Sequence, residues 1–235
     1  MSTQIAYVAG ATGFVGRETV RALCEHKPAL RVIAHVRPES SRVDEWRTRF
    51  EAMGAELDTT PWQAEAMNNR FAELQPNVVF GLLGTTRKRA KAEGVDDPYE
   101  RIDYGLTAVL ITAAVAAGSK PRFLYLSSAG IGPNPRGAYM KARWKAERDL
   151  RASGLDYTIA RPSMITGPGR DDDRPGERVG AFLADGALKF ASMVGGRKLR
   201  SRYRSTTNTI LGEALARLAL DPATNNRIVE GDELR

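Results

Sequence analysis

The chain has one cysteine, two histidines and only 7% aromatic residues in 235 positions. A lone thiol, Cys24, cannot form an intrachain disulfide, and one thiol with two imidazoles excludes both cysteine-based and histidine-rich zinc sites. No metal is therefore expected. Long hydrophobic runs are missing too: the most apolar stretch, Ala108 to Ala117, is short and contains Thr112, so no integral membrane association is expected. The opening residues, MSTQIAYVAG, lack a basic region followed by a long apolar one and do not read as a secretion signal. Together these absences predict a soluble, cytoplasmic, metal-free protein.

What is present fits a globular chain. Hydrophobic residues make up 42% and charged residues 27%, enough apolar side chain for an aliphatic core and too much for a disordered polymer. The length predicts one domain over residues 1–235, with the part from about residue 163 forming a small lobe. Thirty-five basic against 28 acidic residues give a net charge of +7, mostly interspersed. One segment departs from that mixture: Arg197-Lys-Leu-Arg-Ser-Arg-Tyr-Arg204 has five bases and no acid. It reads as a solvated edge strand protected by charge, with an anionic substrate or a partner as the alternative. No nucleic-acid-binding motif accompanies it, so no nucleic acid is expected.

Strand and helix patterns alternate along the chain. Apolar runs predict strands at Ile5–Ala9, Leu30–Val36, Asn77–Leu83, Arg122–Ser127 and Tyr157–Ala160, with a weak one at Ala55–Leu57. Helices are predicted at Phe14–Lys27, Ala64–Leu74, Pro98–Ala117, Gly137–Ala152 and Thr209–Leu220, with a polar helical stretch before Ala55. Repetition of this kind predicts an α/β fold: a doubly wound parallel sheet of Rossmann type with a small C-terminal substrate lobe. A Gly/Pro/Asp-rich loop, Gly167 to Gly176, interrupts the pattern.

Between the first strand and first helix lies Gly10-Ala-Thr12-Gly13-Phe14-Val15-Gly16. Gly10 permits a tight turn, Gly13 lets backbone approach a pyrophosphate, and Gly16 allows close helix–strand packing. The helix N-terminus beyond offers N–H groups and a positive dipole end. Gly10, Thr12, Gly13, Phe14, Val15 and Gly16 are accordingly the candidate phosphate-binding residues of a dinucleotide site. Past the second strand, where a ribose-reading acid is usual, stands Arg37; the nearest acid is Glu39. A guanidinium there suits a 2′-phosphate, so NADP(H) is favoured over NAD(H). Asp58 is either an adenine contact or an ordinary turn residue.

Leu126-Ser127-Ser128-Ala-Gly130 ends one strand, and Tyr139-Met-Lys-Ala-Arg143 opens a helix. With GATGFVG at 10–16, GLLGTTR at 81–87, FLYLSSAG at 123–130 and RPSMITGPGR at 161–170, these segments make nearly the whole chain resemble the short-chain dehydrogenase/reductase superfamily. It is most similar to the atypical branch containing the HIV Tat-interacting-protein oxidoreductases, and GTTRKRAKAEG at 84–94 is the distinctive match. The resemblance implies that Ser128 orients a substrate carbonyl and Tyr139 donates its proton. Four residues on, where the family has a lysine, stands Arg143. Helical geometry forbids a change of register, because Lys141 and Lys145 point elsewhere. Arginine supplies charge but cannot give up its proton at working pH.

The resemblance further implies that Leu83, Gly84 and Thr85 line the cofactor and that Pro162 and Met164 lie at the nicotinamide. Asp103 falls where many relatives have an asparagine; it reads as an exposed helix acid, with pairing to Arg143 the alternative. Asp171-Asp-Asp173 reads as a solvated loop, not a metal site. The expected activity is NADP(H)-dependent oxidoreduction of a carbonyl or alcohol substrate. The alternative is a nucleotide-binding regulatory or assembly protein whose ligand is a protein partner. A sugar-nucleotide epimerase is the weakest reading, since Arg37 disfavours NAD.

Overall fold

The computed structural model describes residues 3–26, 29–85, 94, 96–168 and 205–235. The first strand, β1 (Ile5–Ala9), leads to helix α1 (Gly16–His26), strand β2 (Arg31–His35), helix α2 (Val43–Ala52) and strand β3 (Glu56–Asp58). Helix α3 (Ala64–Leu74) and strand β4 (Val78–Gly81) follow, then a π-helical segment, Tyr99–Leu106, which runs directly into α4 (Thr107–Ala116). Strand β5 (Arg122–Leu126), helix α5 (Ala138–Ala152) and strand β6 (Tyr157–Arg161) complete the alternation.

Every pairing in the main sheet is parallel, in the order β3-β2-β1-β4-β5-β6-β9, where β9 is Arg227–Glu230. The six expected strands are all present, and β9 is a seventh that the sequence pattern did not announce. Its four residues include one wholly buried side chain, Val229, beside the exposed Ile228. An edge strand this short carries little hydrophobic periodicity.

Successive strand residues point to opposite faces, and both faces are buried. Val8, Val32, Phe80 and Leu124 pack on one side with α1 and with α6 (Asn208–Leu220). Tyr7, Ile33, Val79 and Phe123 pack on the other with Phe71 of α3, Leu110 of α4 and Leu150 of α5. Helices α1 and α6 touch closely through Gly212, where a Cβ would come within 2.7 Å of Glu18 Cβ. Asn208 Nδ2 at the start of α6 donates to Phe14 O (3.3 Å).

Two helices depart from expectation. Helix α1 begins at Gly16, because Gly13 to Val15 are used in the preceding turn. The long helix after Pro98 opens as the π-helical segment, a rare widened form that is frequent at functional sites. The basic run 197–204, residues 169–176 of the Gly/Pro/Asp-rich loop, Asp171 to Asp173 and residues 86–93 lie outside the described residues. So does most of the expected lobe; its described flanks, β7 (Ile165–Thr166) and β8 (Thr206–Thr207), pair in parallel.

At the C-terminal ends of β2 and β3, on the same edge of the sheet as the turn after β1, lies a buried polar cluster. Asp58 accepts from Tyr7 Oη (2.8 Å), Thr60 Oγ1 (3.0 Å) and Arg70 Nε (2.8 Å). Its carboxylate is therefore held by the scaffold. Burial, and then Asp58, hold the Tyr7 phenol well above its ordinary pKa. His35 places Nε2 2.8 Å from Thr60 O and lies edge-on to Trp62.

Burial pushes the His35 pKa down. The unfolded chain, with an ordinary histidine near about 6.5, then takes up the proton first. The contribution of neutral His35 is complete above the unfolded pKa and declines as pH falls through it. The urea midpoint is expected to drop between pH 7.5 and pH 5.5, and the drop should shrink in His35→Gln. An equal drop in the variant would place the effect elsewhere; His26, the other histidine, is exposed.

Candidate active site at the sheet's switch point

Strand order reverses between β1 and β4, and in open α/β sheets ligands bind outside the strand ends at such a point. Gly10 leaves β1 with φ +85°, a left-handed conformation, and a Cβ there would fall 2.6 Å from Leu82 O beyond β4. Gly13 N–H donates back to Gly10 O (2.9 Å) and closes the turn. At Gly16 a Cβ would lie 2.1 Å from Gly10 O, so α1 starts pressed onto the strand end. Thr12, Gly13 and Phe14 are half-buried on this turn and Val15 is buried beneath it. The glycines thus let the turn and the start of α1 pack directly onto the strand ends, and a helix N-terminus so placed suits a pyrophosphate.

Across the switch point, Leu83 is buried, Gly84 is exposed and Thr85 is half-buried. Arg37 stands exposed two residues past β2, its carbonyl accepting from Ser40 N–H (3.1 Å). The structure thus arranges the glycine turn, residues 83–85 and Arg37 around the same end of the sheet.

The serine pair at the end of β5 divides its work. Ser127 Oγ donates to Glu147 Oε1 (2.6 Å), inside a buried network; Ser128, half-buried, is the hydroxyl of the pair outside it. Glu147 also accepts from Arg161 Nε (2.9 Å) and Arg161 Nη2 (2.6 Å), and Arg161 Nη1 reaches Glu230 at 3.4 Å. One carboxylate on α5 thereby ties together the ends of β5, β6 and β9. Ala129 N–H donates to Pro162 O (2.8 Å), and Met164 O accepts from Thr206 N–H (3.0 Å). The loop of Pro162 and Met164 therefore runs beside Ser128. Sequence reasoning missed Glu147, although Tyr139, Arg143 and Glu147 recur every four residues and so share a helix face.

Tyr139 sits in the first turn of α5, half-buried, with the Tyr99 ring edge-on at 5.5 Å. Arg143, one turn later, is only 6% exposed. Its Nη2 donates to Asp103 Oδ1 (2.8 Å), and its Nη1 donates to Leu126 O (2.8 Å) and Tyr125 Oη (3.2 Å). The guanidinium lies 5.4 Å from the Tyr139 ring centroid and 5.7 Å from that of Tyr125. Burial, the largest influence, works against this charge, but Tyr125, Tyr139 and Asp103 outweigh it and raise the Arg143 pKa. Arg143 is a fixed cation.

Asp103 corrects the reading of an exposed helix acid: it is fully buried and pairs with Arg143. The partner is forty residues away in sequence, and the π-helical turn breaks the periodicity from which exposure was judged. Burial pushes the Asp103 carboxyl upward in pKa, opposed by Arg143 and by Thr85 N–H, which donates to its other oxygen (3.0 Å). Burial likewise takes Tyr125 up to about 12. Among the described residues no cluster of three or more histidine, cysteine, aspartate or glutamate side chains could hold a metal, and no helix is long and apolar enough to cross a membrane.

Residues 10–184 match the family described as NAD(P)H-binding. The chain is 30% identical over 220 residues to the protein FMP52, mitochondrial, of Saccharomyces cerevisiae, covering 93% of this chain and 87% of that one. It is 31% identical over 184 residues to fmp52-1, mitochondrial, of Aspergillus oryzae, covering 78% and 74%. Among solved structures it resembles the Citrobacter triphenylmethane reductase complexed with NADP(H), with a TM-score of 0.65 at 19% identity over 97% of this chain and 70% of that one. The UDP-glucuronic acid 4-epimerase of Bacillus cereus gives 0.68 at 16% identity, over 97% and 77%. Likeness at that identity shows the fold alone. The mitochondrial names of both curated relatives overturn the expectation of a cytoplasmic protein.

The buried pair makes a prediction about stability. Arg143→Met leaves Asp103 buried without its cation and should cost about 3–5 kcal/mol in urea unfolding. The double variant Asp103→Leu/Arg143→Met removes both charges and should recover most of that loss. A single variant as stable as the wild type would contradict a buried ion pair.

Proposed function

The chain belongs to the NAD(P)H-binding family, and on that premise we propose that it is an NADP(H)-dependent oxidoreductase acting on a carbonyl or alcohol substrate. What supports the reading is that the glycine turn after β1, Ser128 after β5 and Tyr139 in the first turn of α5 all follow the C-terminal ends of strands of one parallel sheet. Gly10, Thr12, Gly13, Phe14, Val15 and Gly16 would hold the pyrophosphate. Leu83, Gly84 and Thr85 would line the far side, with Pro162 and Met164 beside the nicotinamide. When bound, the nicotinamide supplies or accepts a hydride.

The chain's own residues would do the rest. Ser128 orients the substrate oxygen by hydrogen bonding, and Tyr139 Oη gives or takes the proton at that oxygen. Arg143 holds a positive charge against the Tyr139 ring but keeps its own protons. Proton replacement at Tyr139 would therefore come from solvent. Arg37 would bind a 2′-phosphate, whose charge an aspartate at that place would repel.

A second reading has one observation in its favour. Arg143 already spends hydrogen bonds on Asp103, Leu126 and Tyr125, where an activating side chain would face the nucleotide. That favours a nucleotide-binding regulatory protein with slow or no turnover.

Stopped-flow and steady-state assays with NADPH and a panel of aldehydes, ketones and quinones test the reading. Tyr139→Phe should lower kcat on the order of 10²–10⁴-fold while leaving NADPH affinity unchanged. Arg37→Asp should weaken NADPH binding by about tenfold or more and shift preference towards NADH. Undiminished turnover in Tyr139→Phe would remove the tyrosine from the reaction, and wild-type binding without turnover would favour the second reading.

A further inference from the structure

We propose that Asp103 is a positioning residue that joins the nucleotide-lining end of β4 to the helix carrying Tyr139, so that a nucleotide seated against residues 83–85 restrains the Tyr139 turn. The proposal rests on the dinucleotide reading above. It starts from the division of one carboxylate between two elements. Oδ2 accepts the backbone N–H of Thr85 at 3.0 Å, and Oδ1 accepts Nη2 of Arg143 at 2.8 Å. Asp103 is wholly buried, so water does not compete for either oxygen.

Both arms are closely packed. On the β4 side, Gly84 lies directly under the pair: a Cβ there would be 2.7 Å from Arg143 Nη2 and 3.6 Å from Asp103 Oδ1. Any side chain at position 84 would therefore displace the guanidinium. On the α5 side, Arg143 is held by Leu126 O and packs on the Tyr139 ring. The π-helical segment that carries Asp103 also carries Tyr99, whose ring meets Tyr139 edge-on. Tyr139 is thus gripped twice from the element that holds the end of β4.

A carboxylate is required for this bridge. Both of its neighbours are donors, and only a group with two acceptor oxygens can serve both. An asparagine would have to turn its amide nitrogen toward either Thr85 N–H or the guanidinium, and one arm would be lost. Asp103→Asn therefore keeps the size of the side chain and cuts the bridge.

Hydrogen–deuterium exchange of the whole protein with and without NADPH reads the coupling directly. In the wild type, NADPH should slow exchange at the glycine turn (10–16), at 83–85 and in the first two turns of α5 (138–145), the last by about fivefold or more. In Asp103→Asn the glycine turn should still respond while the α5 response disappears. Asp103→Leu/Arg143→Met, which leaves no unpaired charge, should behave the same way and guards against a folding defect in the single variant. Two results overturn the proposal: an α5 response that survives in both variants, as direct contact with the nucleotide would give, or a wild type in which the glycine turn responds and α5 does not. If the glycine turn itself fails to respond in the wild type, the dinucleotide reading fails and this proposal with it.

Discussion

Helix α1 can begin on the end of β1 only because two residues lack side chains. A Cβ at Gly16 would sit 2.1 Å from Gly10 O, and one at Gly10 would sit 2.6 Å from Leu82 O, on the neighbouring strand's exit. The glycine turn is therefore wedged between α1 and the end of β4, and the rest of the upper sheet edge takes its place around it. Helix α6 docks onto α1 through Gly212 and reaches the turn through Asn208 and Phe14 O. Residues 83–85 leave β4 beside the turn and meet Asp103. The close packing that the glycines allow sets the N-terminus of α1 directly beyond the end of β1, where its N–H groups suit a phosphate.

The opposite side of the site is organised by charge. The buried guanidinium of Arg143 is held by hydrogen bonds to Asp103, Leu126 and Tyr125. Pairs of this kind are costly to desolvate and costly to break, so their value lies more in fixing geometry than in net stability. Here the geometry fixed is that of α5 against β5, with Tyr139 at the helix start and Ser128 two residues past Leu126. Glu147 repeats the device two turns from Tyr139, joining α5 to Ser127 and Arg161. An arginine locked this way supplies a field at Tyr139 without a mobile proton, in contrast to the lysine of the family it resembles.

Much of this was legible in the sequence, for local reasons. The glycine turn, the parallel strands and the Ser128 and Tyr139 segments rest on short-range patterns that fold as they read. What escaped was set by non-local pairing. Asp103 looked solvent-exposed because its partners, Thr85 and Arg143, are eighteen and forty residues away and its helix is not α-helical there. Asp58 gave no sign of the donors it collects from three residues, Tyr7 of β1, Thr60 of its own loop and Arg70 of α3. Strand β9 has too few buried residues to show a period. Glu147 alone could have been found, from its four-residue spacing with Tyr139 and Arg143.

Every role proposed for this site requires that the glycine turn hold a dinucleotide. Titration of the purified wild-type protein with NADPH and with NADH, followed by nucleotide fluorescence, tests that most directly. Saturable binding at one site, tighter for NADPH than for NADH, is the predicted result. The absence of saturable binding by either nucleotide would contradict it.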